Sequence, residues 1–294
     1  MKFGCFIITY NRPDILPSTV DVIRRQTLPP AHILVIDNSE METARAVVDA
    51  MGDATITYEA MGENKGPAGG AYAGLKWFKE HGYDWVYWGD DDNPPGLPDT
   101  FERIFEMIAA TKNVGVAAAV GQKFNFKNGT IARLRDDALS GILDVDVMAG
   151  GGCMVVNMNC ITDQTLPDPA LFFGFEELDF CFRMKAAGFR LVVDGDLMKR
   201  VREKWGRLGD MPKQASLRSS DTLWREYYST RNLIYIFSYR FPDLRGLAYR
   251  KIFTSLVKAI AGFSRGWDYG WRLCKIEWSA ISDGIFKKMY KKSG

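Results

Sequence analysis

The chain has 294 residues, of which 47% are hydrophobic and 25% are charged, an ordinary composition for a globular protein. This length suits one large α/β domain with a smaller appendage, or two modest domains. No run of about 18 or more apolar residues occurs, and the N-terminal apolar stretch is too short for a signal peptide, so we expect a cytoplasmic protein. Five dispersed cysteines and two histidines favour reduced core thiols over disulfides or a zinc site.

Short apolar runs alternate with helical patterns in the first part of the chain. We predict strands at Gly4–Thr9, Ile33–Asp37, Thr55–Glu59, Trp85–Gly89 and Val114–Val120. Strands that alternate with helices indicate βαβ units with right-handed crossovers and a mostly parallel sheet. Ligands of such sheets bind at the carboxyl ends of the strands. Polar or glycine-rich residues follow these ends, as such a site requires, at 9–12, 37–39, 62–70 and 90–94.

The pattern loosens after residue 120. We expect a helix to begin within Phe172–Phe180 and to end at Gly188. Residues 196–218, rich in Lys, Arg and Gly, are predicted to form a mobile loop, and two or three helices follow from Ser220. The predicted organisation is a first domain at 1–218, with halves at about 1–120 and 121–218, and a helical C-terminal region at 219–294.

Three adjacent carboxylates, Asp90, Asp91 and Asp92, follow the apolar strand WVYWG. Adjacent like charges repel, so this arrangement is costly without a cation. In an extended segment Asp90 and Asp92 point to one side and Asp91 to the other. The pair can hold one hard divalent ion, which in turn bridges phosphate oxygens. An acidic loop or a helix cap is the alternative, and the position at a strand end favours the metal site.

The segment Gly66–Gly70 is a glycine-rich turn that leads into a helix. Backbone amides at the start of a helix favour anions such as diphosphate. A tight connection without a ligand is the alternative. The pattern is neither GxGxxG nor a Walker A loop, which argues against dinucleotide or P-loop binding.

A second acidic cluster contains Glu176, Glu177 and Asp179. Crowded carboxylates raise one another's pKa, which tunes a general base toward neutral pH. The alternative is an acidic helix N-terminus stabilised by the helix dipole, with Asp179 and Arg183 as an i,i+4 ion pair.

Taken together, these motifs resemble those of the family 2 glycosyltransferases over roughly residues 3–195. The resemblance rests on TYNR at Thr9–Arg12, the acid of VIDNS at Asp37, NKGPAGG at Asn64–Gly70, DxD at Asp90–Asp92 and EExDFxxR at Glu176–Arg183. It implies an inverting enzyme of the GT-A nucleotide-diphospho-sugar transferase fold, a Rossmann-like, mostly parallel sheet flanked by helices, here with a helical C-terminal extension. The chain looks most like the rhamnosyl- and galactofuranosyl-transferase-like members that build bacterial surface polysaccharides.

The resemblance also implies roles for individual residues. Glu177 is the implied catalytic base, with Glu176 and Asp179 beside it, and Asp90 and Asp92 are the implied ligands of Mn²⁺ or Mg²⁺. The residues implied to bind the nucleotide sugar are Thr9, Tyr10, Asn11, Arg12, Asp37, Asn64, Lys65, Gly69, Gly70 and Asp91. The implied reaction moves a sugar from a UDP- or dTDP-sugar to a hydroxyl of a surface-glycan acceptor that is lipid-linked.

One feature departs from the family pattern. Many members have a histidine shortly after the EExD segment that completes the metal site, and the stretch Asp194–Arg202 contains none. Water or substrate oxygens would then complete the metal site, or a cation would substitute. Lys199, Arg200 and Arg202 are the candidates to neutralise the departing diphosphate directly.

The C-terminal region is basic and rich in aromatic residues. Residues 240–294 contain 12 Lys/Arg and 4 Asp/Glu, a net charge of +8 in a chain whose net charge is +2. Basic amphipathic helices with tryptophans such as Trp267, Trp271 and Trp278 suit an anionic membrane surface, here the inner face of the plasma membrane. The alternative is a helical cap packed on the catalytic domain. We expect Tyr227–Asn232 inside the fold, near the acceptor site or a subunit contact, which leaves a homo-oligomer open.

Two rival functions remain at this point. A sugar nucleotidyltransferase on a similar fold would begin with a GxGxR-like loop that this N-terminus lacks. A catalytically inactive module that binds nucleotide sugars or glycans would not need two intact acidic clusters. A nucleic-acid binder would need basic residues along the sheet edge, which is acidic here, so we expect no nucleic-acid partner.

Overall fold

The computed structural model describes residues 1–148, 151–209, 217–289 and 291. In chain order, strands β1 to β11 are Phe3–Thr9, His32–Asp37, Ile56–Ala60, Trp85–Asp90, Val114–Ala118, Gly121–Asn125, Thr130–Arg133, Ile142–Asp144, Val147–Met148, Met154–Asn157 and Arg190–Asp194. Helices α1 to α9 are Leu16–Arg24, Arg45–Ala50, Gly66–Glu80, Thr100–Ala109, Glu176–Ala186, Gly195–Lys204, Trp224–Tyr235, Arg245–Ala261 and Trp267–Ile285. A π-helical turn, Ile236–Arg240, continues α7 directly.

The main sheet has eight strands in the order β3-β2-β1-β4-β10-β5-β11-β8. Strands β1, β2, β3 and β4 pair in parallel, as do β5 and β11. Strand β10 runs antiparallel between β4 and β5, and β8 is antiparallel to β11. A smaller sheet has the order β7-β6-β9. The prediction of a mostly parallel sheet flanked by helices is therefore confirmed.

The central strands are apolar along their whole length because both faces of the sheet are covered. On β1, Phe6 and Ile8 belong to a core that includes Leu75 of α3, whereas Cys5 and Ile7 belong to a second core with Leu16 of α1 and other residues of α1 and α4. Alternate residues of a strand point to opposite faces, so a strand between two helical layers needs apolar residues at every position. This is why these strands were readable as continuous apolar runs.

Residues 195–204 correct one prediction, because they form helix α6 where a mobile loop was expected. The side chain of Asp194 caps this helix by accepting hydrogen bonds from the backbone amides of Asp196 and Leu197, at 2.9 and 3.0 Å. An aspartate at the N-cap satisfies amides that have no partner inside the helix. The later part of the expected loop, 210–216, lies outside the described residues.

The chain divides into two compact units. The first contains the main sheet, and the second combines the C-terminal helices with two earlier segments, Phe124–Thr130 and Ala170–Glu176. Helices α7, α8 and α9 pack on one another within the second unit, which confirms the helical C-terminal region. The predicted domain boundary at residue 218 stays a prediction. Within the described ranges, none of the helices has the length and apolar character needed to cross a membrane.

Candidate functional site

The carboxyl ends of β1, β2 and β4 bring three predicted motifs together. The register aligns Thr9 of β1 with Asp37 of β2 and Ile8 of β1 with Asp90 of β4. The backbone amide of Asp91 also donates a hydrogen bond of 3.2 Å to the carbonyl of Ile8. The segment after β1 and the acidic triplet after β4 therefore lie side by side, as the parallel topology requires.

Asp91 is fully buried and binds residues of the segment at the end of β1. Its carboxylate accepts a hydrogen bond of 2.6 Å from the hydroxyl of Thr9 and forms an ion pair with the guanidinium of Arg12. Burial raises the pKa of Asp91, and the bonds from Thr9 and Arg12 oppose that shift. The carboxylate is thus engaged within the protein, which gives it a structural function; its predicted contact with the nucleotide sugar stays a prediction.

Arg12 joins the two carboxylates that follow Asp90. Its guanidinium binds Asp91 and also donates a hydrogen bond of 2.6 Å to Asp92, whose side chain is 43% exposed. A planar guanidinium can bind two carboxylates at once, which holds the loop after β4 against the loop after β1.

Tyr10 and Asn11, which precede Arg12, are exposed, and Asn11 has a left-handed backbone with φ of 52°.

Asp37 is fully buried at the end of β2. One carboxylate oxygen accepts from the amide of Ser39 at 2.8 Å, and the other accepts from the amide of Ala44 at 3.0 Å and the hydroxyl of Tyr58 at 2.9 Å. These bonds shape the loop after β2 and hold its carboxylate in the interior. The role in reading the nucleobase that the family resemblance implies stays a prediction.

The glycine-rich segment is helical, which corrects the predicted turn. Helix α3 begins at Gly66, so Gly69 and Gly70 lie in its first turns. A Cβ at Gly70 would come within 2.9 Å of the side chain of Ile8, so glycine here lets α3 pack closely on β1. Before the helix, Asn64 accepts a hydrogen bond of 2.9 Å from the amide of Gly66, and Lys65 is exposed. Contact of this segment with the nucleotide stays a prediction.

Asp90 and Glu177 line the same cleft at the end of β4, together with residues of the 151–154 segment. The cavity volume of this cleft is about 20 Å³, which is room for about one water molecule. Burial, with the negative charges of Glu177, Asp92 and Asp91 added, raises the pKa of Asp90 to about 7. Burial also raises the pKa of Glu177. The fold therefore brings the first acid of the triplet and the second acid of the EExD segment together across 87 residues of sequence.

The other two acids of the second cluster are enclosed. Glu176 is 5% exposed, and Asp179 is fully buried beside Arg183 at 2.8 Å. Arg183 also donates a hydrogen bond of 2.8 Å to the carbonyl of Gln164. The predicted i,i+4 ion pair is thus present, and it occupies the guanidinium and one oxygen of Asp179. Of the three acids, Glu177 is the one that lines the cleft.

The three basic residues predicted to face diphosphate are on α6, and the structure gives two of them other partners. Arg200 binds Asp99 through two hydrogen bonds, of 2.7 and 3.1 Å. Arg202 is 5% exposed and binds Asp136 and the carbonyl of Leu134. Lys199 is exposed. Among the described residues that line the cleft, none belongs to α6. The segment is a helix and not a mobile loop, and its two arginines form ion pairs with Asp99 and Asp136.

Arg231 and Asn232 of α7 are fully buried, and sequence reasoning gave them no specific role. Arg231 donates a hydrogen bond of 2.8 Å to the carbonyl of Leu171. The side-chain amide of Asn232 lies 2.9, 3.0 and 2.8 Å from the carbonyls of Leu171, Phe173 and Gly174. These carbonyls belong to the segment that leads into Glu176 and Glu177. The expectation that Tyr227–Asn232 lies inside the fold is confirmed by the burial of Arg231 and Asn232. It could have pointed to these contacts, because polar residues buried in a helix need hydrogen-bond partners.

In the described parts of the chain, no group of three or more His, Cys, Asp or Glu side chains is arranged to hold a metal ion. Metal sites that also bind phosphate need only one or two carboxylates from the protein, since the remaining ligands are substrate oxygens and water.

Comparison with known proteins shows what the chain is similar to. The model of Glycosyl transferase family 2 matches residues 5–147. Galactofuranosyltransferase GlfT1 of Mycobacterium tuberculosis is 38% identical over 88 residues, which cover 29% of this chain and 29% of that protein. The corresponding protein of Mycolicibacterium smegmatis is 30% identical over 89 residues, or 30% of this chain and 29% of its own length. The match thus spans less than a third of these curated relatives.

Solved structures show the same fold at low sequence identity. The mannosyltransferase PcManGT of Pyrobaculum calidifontis, in complex with GDP-Man and Mn²⁺, has a TM-score of 0.55 and 13% identity, covering 98% of this chain and 88% of that one. GalNAc-T7, with UDP, GalNAc and Mn²⁺, also has a TM-score of 0.55 and 13% identity, covering 89% of this chain and 57% of that one. The family model thus matches 143 of the 294 residues, and the shared architecture shows that the chain has the GT-A fold.

Proposed function

We propose that this protein is an inverting glycosyltransferase that moves a sugar from a nucleotide-diphosphate donor to a hydroxyl of a glycan acceptor. The observation that carries the proposal is the shared cleft of Asp90 and Glu177, where burial raises the pKa of both carboxyl groups. A carboxylate with a raised pKa is a stronger base, and perturbed acids in a cleft are typical of catalytic sites.

The acidic edge fits a divalent cation. Besides burial, the negative charges of Glu177, Asp92 and Asp91 raise the pKa of Asp90, and Arg12 opposes them; a hard cation would relieve this repulsion. Asp90 and the exposed Asp92 would hold the ion, with phosphate oxygens and water as its other ligands. When bound, Mn²⁺ or Mg²⁺ supplies positive charge against the diphosphate leaving group. The Mn²⁺ found with PcManGT and GalNAc-T7 supports this part of the proposal.

The reaction proposed for Glu177 is a single displacement with inversion. The Glu177 carboxylate accepts the proton of the acceptor hydroxyl as its oxygen attacks the anomeric carbon of the donor sugar. The new glycosidic C–O bond forms while the bond from the anomeric carbon to the diphosphate oxygen breaks, and the nucleoside diphosphate leaves with the electron pair. General-base catalysis of this kind typically contributes about a hundredfold or more to the rate.

The proposal also covers the donor, the acceptor, the location in the cell and the extent of the catalytic domain. We propose a UDP- or dTDP-sugar as donor, and the similarity to a galactofuranosyltransferase makes a galactofuranosyl donor the first to test. The proposed acceptor is a lipid-linked surface glycan, used by a cytoplasmic protein at the inner face of the plasma membrane. We propose residues 1–218 as the catalytic domain, with Thr9–Arg12, Asp37 and Asn64–Gly70 on the donor side.

The test is to incubate the full chain with a panel of nucleotide sugars, Mn²⁺ or Mg²⁺ and a glycan acceptor analogue. We expect one donor class to release nucleoside diphosphate and yield an elongated glycan of inverted anomeric configuration, measured by mass spectrometry and NMR. Release of pyrophosphate from a nucleoside triphosphate and a sugar phosphate would instead identify a nucleotidyltransferase. Tight donor binding without product, with every donor and acceptor tried, would identify an inactive binding module.

A further inference from the structure

Helices α8 and α9 of the second unit carry large apolar side chains on their exposed sides. On α9, Trp267, Trp271 and Trp278 are 73%, 49% and 71% exposed, and their spacing places them on one face. The exposed apolar residues on one face of α8 are Tyr249, Phe253, Leu256, Val257 and Ile260. We call these eight residues the α8–α9 apolar face. An exposed apolar patch of this kind on a folded chain marks an interaction surface.

The two rows of side chains adjoin along the contact between the helices. The Cys274 thiol donates to the carbonyl of Ala259 at 3.7 Å, and Cys274 lies one turn from both Trp271 and Trp278. Ala259 precedes Ile260, the most exposed aliphatic residue of the face. The residues that join the helices therefore lie next to both exposed rows, which brings the two rows close together at this contact.

The turn between the helices fixes part of this surface. The ring of Phe263 lies 5.1 Å from that of Trp267 and 5.8 Å from that of Trp271. A Cβ at Gly270 would come within 2.4 Å of Phe263, so glycine there admits the ring between turn and helix. Trp267 and Trp271 are thus held by packing while their outer sides remain exposed, and little side-chain freedom is lost when they bind a surface.

The charges around the apolar face are mainly positive. Exposed basic residues on or next to the two helices are Arg245, Arg250, Arg265, Arg272, Lys275, Lys287, Lys288 and Lys291. Two of the acids of α9 are buried: Glu277 accepts a hydrogen bond of 2.7 Å from Thr230, and Asp283 accepts one of 2.8 Å from Tyr227. Only Asp268 is an exposed acid among the described residues of these two helices.

We infer that the α8–α9 apolar face docks on the surface of an anionic lipid bilayer, with both helices lying in the plane of the interface. Tryptophan is enriched at such interfaces because its ring is apolar and its N–H is polar. Basic residues around an apolar face add attraction to anionic headgroups. The same charges would repel one another across an interface between two copies of the chain. The inference rests on the proposed function only in that a lipid-linked acceptor makes this location useful.

The test is flotation of the full chain with vesicles of phosphatidylcholine containing phosphatidylglycerol, at low and high salt. We expect binding at low salt that weakens at high salt and on pure phosphatidylcholine. The paired substitutions Trp278→Glu and Ile260→Glu should weaken binding at least tenfold. Trp205→Glu is the matched control, since Trp205 is a 55% exposed tryptophan of the first unit and should leave binding unchanged.

Three results would overturn the inference. The wild-type chain could ignore anionic vesicles at low salt, or the paired variant could float as well as the wild type. Alternatively, light scattering could show a dimer that the same substitutions dissociate, without vesicle binding, and the face would then join two copies. Melting temperatures establish that each variant is folded. Transfer to a water-soluble acceptor analogue is scored separately, so loss of docking with intact transfer, or the converse, distinguishes this inference from the proposed activity.

Discussion

The side-chain amide of Asn232 donates a hydrogen bond of 2.8 Å to the backbone carbonyl of Gly174, three residues before Glu177. Phe172 and Phe175, on either side of this contact, have left-handed backbones with φ of 60° and 68°. Bulky residues adopt that conformation only where surrounding interactions compensate for the strain. Asn232, with Arg231, supplies such interactions, so we regard both as positioning residues for the segment that leads to the proposed base.

Asn232→Ala removes the hydrogen bonds to this segment. We expect the free energy of unfolding to fall by about 1–3 kcal/mol, because buried carbonyls lose their donors. We also expect kcat to fall tenfold or more while the KM for the donor changes little. Asn157→Ala is the control, since its amide bonds the carbonyl of Val114 at 2.9 Å. Equal falls in kcat for both variants, at equal loss of stability, would reduce Asn232 to a purely structural role.

Glu177→Gln keeps the size of the side chain and removes its ability to accept a proton. Turnover should fall by about a hundredfold or more, with donor affinity near that of the wild type. Glu176→Gln is the matched control, because Glu176 is buried and does not line the cleft. Steady-state kinetics and calorimetric donor binding separate the two effects. Greater damage from Glu176→Gln would move the base by one position.

Asp92→Asn should abolish the part of donor binding that depends on Mn²⁺ or Mg²⁺ and leave the fold intact. Its side chain is 43% exposed, so the substitution costs little stability. Asp91→Asn should do the reverse and lower the melting temperature, because the buried Asp91 carboxylate is bonded to Thr9 and Arg12. Donor titrations with and without EDTA provide the measurement. Donor affinity that is indifferent to EDTA would remove the metal from the mechanism.

Arg202→Ala should affect stability rather than diphosphate binding. The side chain is buried and bonds Asp136 and the carbonyl of Leu134, so its loss should cost about 1–3 kcal/mol of unfolding free energy. Lys199→Ala, on the exposed side of the same helix, should leave stability unchanged. Denaturant unfolding and affinity for the nucleoside diphosphate are measured for both. A large loss of nucleotide affinity in the folded Arg202→Ala variant would contradict this expectation and support the predicted role of Arg202 at the diphosphate.

The ion pair of Asp136 with Arg202 of α6 should make the stability of the fold depend on pH. Hydrogen bonds from Arg133, Arg202 and the Gly209 amide lower the pKa of Asp136 in the folded state. A carboxyl group with a lowered pKa stabilises the fold above its unfolded-state pKa of about 3.9 and loses that contribution as pH falls toward the folded value. Asp136→Asn should therefore lower the melting temperature at neutral pH, and the difference from the wild type should shrink below about pH 4. A difference that stays constant with pH would assign the effect to packing.

The sequence by itself determined the central strands and the acidic edge of the sheet. Strands covered on both faces must be apolar throughout, so β1, β2 and β4 were readable from composition alone, within two residues at either end. Once these strands are parallel, their carboxyl ends meet, which places Thr9, Asp37 and Asp90 together. Local pattern and a general rule of topology were sufficient for this part.

Only the tertiary structure decided which polar groups bind one another inside the protein. Arg202 and Asp136 are 66 residues apart, and Arg231 and Leu171 are 60 residues apart, so no local pattern pairs them. The same holds for Gly70, whose missing side chain is explained by its approach to Ile8 of a strand far away in the sequence. Helix α6 was not predicted because its polar composition resembles that of a loop, and long-range ion pairs with Asp99 and Asp136 help to hold it in place within the first unit. Burial of Asp90 and Glu177 in one cleft likewise arises from folding, because a shift in pKa depends on the dielectric and charges around a group and not on its neighbours in the chain.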